Sequence, residues 1–67
     1  MQRFPVSSSR ISSVGWAMNI LEVQFKDGAI YQYFDVPYNE FIRFIDSPSL
    51  GRALSSLDKV HRYIRVN

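Results

Sequence analysis

Alternation is clearest between Leu21 and Lys26, where Leu21, Val23 and Phe25 interleave with Glu22, Gln24 and Lys26. A repeat of two puts each set on its own face of a strand, so this segment reads as a half-buried strand. Upstream, Ile11 to Trp16 reads as an earlier strand, with Ala17-Met18-Asn19 as the reversal between them. Downstream, Asp27-Gly28 marks a hairpin, because glycine accepts the positive φ that such turns require. A third strand then runs from Ala29 to Phe34 and stops at Asp35-Val36-Pro37. Proline has no N–H to extend a ladder but suits the start of a helix.

From Tyr38 the period changes. Tyr38, Phe41, Ile42 and Ile45 form one apolar stripe at helical spacing, with Phe44 at its edge and Asn39, Glu40, Arg43 and Asp46 opposite. Ser47-Pro48 reads as an N-cap followed by a first-turn proline, opening a second helix that aligns Leu50, Ala53, Leu54 and Leu57. The last run, Val60 to Val66, mixes β-branched, aromatic and basic residues and fits either a short C-terminal strand or an irregular extension of the helix. The predicted fold class is α+β: a three-stranded antiparallel β-meander followed by two helices packed on one face.

Composition limits how such a fold is held together. At 67 residues the chain has surface to bury for one core and no second, so residues 1–67 are expected to form a single domain. There is no cysteine and His61 is the only histidine, which leaves neither disulfides nor a structural metal as a staple. Five Phe, four Tyr and one Trp must therefore supply much of the core. The apolar stretches are too short to span a membrane, and the N-terminus lacks a secretory pattern, so a cytoplasmic location is expected. The net charge is +2, but its distribution is uneven. From Gly51 onward Arg52, Lys59, Arg62 and Arg65 face Asp58 alone, a sign bias that can steer a polyanion toward one end of the domain.

Several of these segments, taken in order, resemble the KTSC domain, a short module found alone in bacterial and phage-related proteins and at the C-terminus of some lysyl-tRNA synthetases. The matching residues are Val6-Ser7-Ser8-Ser9, the Val14-Gly15-Trp16 step, Leu21-Glu22-Val23-Gln24-Phe25, Asp27-Gly28, the Tyr31-Gln32-Tyr33 motif and Val36-Pro37. The second half departs from the family: Ser49-Leu50-Gly51 stands where many members carry Ser-Lys-Gly, while His61 to Arg65 keeps a basic and aromatic character. The attachment to a tRNA-charging enzyme implies an RNA partner, by analogy rather than by chemistry.

Tyr31 and Tyr33 lie two apart and so share one face of their strand, where they form either a stacking platform for bases or part of the core. The hairpin loop decides. A two-residue Asp27-Gly28 loop pairs Phe25 with Ile30 and turns both tyrosines away from the core. A three-residue Lys26-Asp27-Gly28 loop with a glycine bulge instead sets Val23 opposite Tyr31 and Leu21 opposite Tyr33. Both registers fit the pattern.

Trp16 reads as a core anchor. The carboxylates are scattered over turns, caps and polar faces with no spacing that pairs two in a pocket, and His61 has no nucleophile beside it, so no catalytic residue, metal ligand or cofactor is assigned. A non-catalytic binding module is expected, with no small-molecule substrate. Its candidate contacts are Tyr31, Tyr33, Arg52, Lys59, Arg62, Tyr63 and Arg65, acting on single-stranded or transfer RNA. The alternative is a protein-interaction or self-association module using an exposed sheet face or edge strand.

Overall fold

In a computed structural model covering residues 1–67, the three expected strands are present as β2 (Ile11–Ala17), β3 (Ile20–Phe25) and β4 (Ile30–Tyr33). Two helices follow, α1 (Tyr38–Ile45) and α2 (Leu50–Val60). The expected meander gains a strand at each edge, β1 (Phe4–Pro5) and β5 (Tyr63–Arg65), so the sheet has five strands rather than three, in the order β1-β2-β3-β4-β5 with every neighbour antiparallel. Strands of two and three residues are too short to show alternation in sequence. They form because β2 and β4 present open ladders to them, and Pro5 is tolerated because β1 is an edge. The run after α2 thus resolves in favour of a strand.

The β2–β3 reversal is a two-residue turn with Met18 and Asn19 both at positive φ, 53° and 63°, the geometry that matches the twist of a hairpin. A register shift between Ile11 and Ser13 brings Ile11 and Val14 to the same face, where both are fully buried. Both helices cover that face. The core joins Val14, Leu21, Val23 and Tyr33 from the sheet to Phe41 and Phe44 of α1 and Leu50, Leu54 and Leu57 of α2. Trp16 anchors one end, donating from Nε1 to the Val36 carbonyl at 2.8 Å and packing on Phe41 and Tyr38.

Two helix details depart from the sequence expectation. The buried stripe of α1 centres on Phe41 and Phe44, while Tyr38 is 57% exposed, because the helix turns Phe44 toward α2. The N-cap of α2 is Ser49, whose hydroxyl accepts from the Arg52 N–H. Ser47 instead makes a local turn, accepting from the Ser49 N–H and donating to the Ser49 carbonyl, which leaves Pro48 outside the helix.

The second face of the sheet carries a polar network. The Arg3 guanidinium bonds Glu22, and its Nε donates to Ser13 at 3.1 Å, while Gln32 donates to the other Glu22 oxygen at 2.8 Å. Beneath Arg3 lies Gly15, where an added Cβ would stand 2.3 Å from the Gln2 carbonyl oxygen. G15A must therefore push the N-terminal strand off the sheet. A loss of about 1–3 kcal/mol is expected by chemical denaturation, in the range of overpacking substitutions, with amide exchange at residues 2–6 accelerated more than in the core.

Candidate functional site

The β3–β4 loop has three residues. Phe25 accepts from the Gly28 N–H and donates its own N–H to Ala29, Gly28 sits at φ +96°, and Leu21 pairs with Tyr33 and Val23 with Tyr31. Both tyrosines therefore point to the helix-covered face, and their roles separate. Tyr33 is 2% exposed and donates its hydroxyl to Asp58 of α2 at 2.6 Å, so it offers no face for stacking. Burial, followed by that bond and the Asp58 charge, holds its phenol far above the ordinary tyrosine range. Tyr31 is only partly covered.

β5 completes the site. It sets Tyr63 opposite Tyr33 and Arg65 opposite Tyr31, on the same face. The Tyr63 ring packs 5.1 Å from Tyr33 and 5.7 Å from Tyr31, yet remains 46% exposed. Arg10, whose backbone carbonyl accepts from the Lys26 N–H, brings a second guanidinium to the same place. Together Arg10, Tyr31, Tyr63 and Arg65 border a groove of about 280 Å³ between the sheet and α2. Asp27 and Asp58 line it as well, accepting from the Ala29 N–H and the Tyr33 hydroxyl, so two guanidinium and two carboxylate groups share the groove. Arg3 pairs with Glu22, and the Glu40 carboxylate is bonded to His61, so Arg10, Arg52 and Arg65 have no carboxylate partner.

The remaining candidates lie elsewhere. Arg62 projects from the opposite face, its guanidinium 5.9 Å from the centre of the Phe34 ring. Lys59 is exposed on α2 but borders no groove. Arg52 stands at the start of α2, in a neighbouring cleft that Arg10 also lines. His61 closes the end of α2, bonded through Nδ1 to the Phe34 carbonyl and through Nε2 to Glu40 at 2.6 Å. Arg10 was missed by sequence reasoning: it is a lone cation in a polar segment, and no spacing relates it to Tyr31 or Arg65.

The KTSC domain profile matches residues 7–66. The chain belongs to the KTSC domain family. A crystal structure of a KTSC domain protein from Yersinia pestis superposes with a TM-score of 0.89 at 38% identity, covering 98% of this chain and 97% of that one. An uncharacterized protein of Stutzerimonas stutzeri is 35% identical over the full length of both chains. A protein of Tsukamurella paurometabola is 37% identical over 82% of this chain and 85% of its own.

In this KTSC domain the residues that carry the family resemblance have distinct physical tasks. Gly15 admits the N-terminal strand, Gly28 sets the hairpin register, Tyr33 ties the sheet to α2, and the Val36 carbonyl receives Trp16. Y33F removes a hydrogen bond to a charged acceptor that stays accessible to water, so a loss of about 1–2 kcal/mol is expected by urea denaturation, with the fold intact.

Glu22 supplies a pH dependence. Burial alone raises its carboxyl, but the hydrogen bonds from Gln32 and Arg3 and the charge of Arg3 outweigh it, leaving the pKa below the ordinary value. The carboxylate therefore stabilises the fold above the unfolded pKa, and that contribution disappears as pH falls through the folded pKa. Thermal melts of E22Q should lose stability at neutral pH and fall less steeply than the wild type on acidification.

Proposed function

We propose that this KTSC domain is a small non-catalytic module of the bacterial cytoplasm that binds single-stranded nucleic acid, RNA in particular. The observation that carries this reading is the exposed Tyr63 ring beside Tyr31, bordered by the guanidinium groups of Arg10 and Arg65, neither of them in an ion pair. An aromatic face accepts any base, and flanking cations hold the phosphates on either side of it. Two arginines suit this role because their planar heads bind phosphate through paired N–H groups and also stack on bases. The occurrence of related modules on lysyl-tRNA synthetases supports RNA as the partner, single-stranded or within a transfer RNA.

A second reading has its own support. Ile64 and Val66 are 51% and 41% exposed on the sheet face that the helices leave open, and the outer side of β5 has no neighbour. An open edge beside apolar side chains favours protein association, including pairing of two copies.

Fluorescence anisotropy of a labelled mixed-sequence RNA octamer separates the two. Binding should weaken steeply between about 50 and 200 mM salt. Y63L should cost about tenfold, in line with the loss of one stacked base. R65Q should lower both affinity and salt slope, while R62Q, altered on the other face, should match the wild type. Absence of binding at low salt, or equal losses in R62Q and R65Q, overturns the proposal. A concentration-dependent dimer in sedimentation together with no RNA binding favours the second reading.

A further inference from the structure

Beside the tyrosine groove lies a larger cleft of about 370 Å³, walled by Ser7–Arg10 on one side and Pro48–Arg52 on the other. Leu50 is its single hydrophobic residue, and no acidic residue lines it. Two guanidinium groups reach it, Arg10 and Arg52, neither in an ion pair. The Ser8 hydroxyl is engaged in the turn, accepting from the N–H groups of Arg10 and Ile11 at 3.2 Å, whereas the hydroxyls of Ser7 and Ser9 make no hydrogen bond within the chain.

The placement of both arginines works against the stability of α2. Arg10 lies over Gly51, so that a Cβ there would stand 3.6 Å from its Cδ and 3.7 Å from Nη1. Arg52 occupies the third position after the Ser49 cap, where a capping box would carry Glu or Gln, and the first turn of α2 has no acid. Cations at this end of a helix oppose its dipole, and two of them also repel each other. No carboxylate lines the cleft to offset that cost. A bound anion would.

We infer that this cleft is a phosphate subsite for the same strand whose bases meet Tyr31 and Tyr63. The inference rests on the nucleic-acid reading, and Arg10 is its physical link because that side chain borders both cavities. A single strand offers bases and phosphodiesters in turn. An aromatic groove leading past a shared arginine into a cleft of hydroxyls and guanidinium groups follows the same order. The cleft holds a phosphodiester through Arg10, Arg52, Ser7 and Ser9.

The test compares R52E, S9D and R43E with the wild type, using the same RNA octamer and anisotropy readout. R52E completes a capping box, so its melting temperature should hold or rise, which separates loss of binding from loss of fold. R43E makes the same change of charge on α1, away from the cleft. R52E and S9D should each bind about tenfold more weakly at low salt, with a salt slope lower by about one for R52E, while R43E stays near the wild type. Wild-type affinity in S9D overturns the cleft, whatever R52E does, and so do equal losses in R52E and R43E. If Y63L still loses binding in that case, the groove stands without the subsite. Absence of RNA binding by the wild type overturns the nucleic-acid reading and the subsite with it.

Discussion

The register of the β3–β4 hairpin is the constraint on which the rest of the molecule depends. A glycine at φ +96° allows a three-residue loop, and that loop assigns every side chain of β4 to its face. Tyr33 is thereby directed inward, where its ring fills the core and its hydroxyl reaches α2 through Asp58. Tyr31 lands at the rim on the same face, and Gln32 on the other, within reach of Glu22. A loop one residue shorter would exchange these roles, leaving a buried amide without Glu22 and two tyrosines in water.

The two faces of the sheet are stabilised by different physics. The helix-covered face is an aliphatic and aromatic core closed by Trp16 at one end and Tyr63 at the other. The open face is held by one buried carboxylate, Glu22, whose desolvation is balanced by Arg3 and Gln32. That network joins Arg3, the residue before β1, to β2, β3 and β4, so the two-residue edge strand is retained by a neighbouring side chain as well as by its backbone ladder. Gly15 makes this possible by letting the N-terminal backbone approach where any Cβ would collide.

Strand alternation also redistributes the cations. In sequence Arg62, Tyr63, Ile64 and Arg65 form a continuous basic and aromatic run; in space β5 sends Tyr63 and Arg65 to the helix side and Arg62 over Phe34 on the other. The cations that converge come instead from opposite ends of the chain. Arg10 arrives ahead of β2, Arg65 on the last strand and Arg52 at the start of α2. Their proximity is a product of tertiary packing, with Arg10 bordering both the cleft at the start of α2 and the groove beside β5.

What the sequence determined by itself is whatever local periodicity and turn chemistry encode. The alternation of Leu21 to Lys26, the helical spacing after Tyr38, and Asp27-Gly28 with Val36-Pro37 specify three strands, two helices and an α+β class, and the ordered motifs specify the family. The loop length between Phe25 and Ala29 was ambiguous, because both registers satisfy the alternation of β3 alone. Only the tertiary structure decided between them, since the choice depends on what β4 meets across the core. The same holds for the edge strands, which are too short to carry a period, for Ser49 displacing Ser47 as the cap, and for Arg10. Its partners are distant in sequence, and proximity of that kind is set by packing rather than by any pattern along the chain.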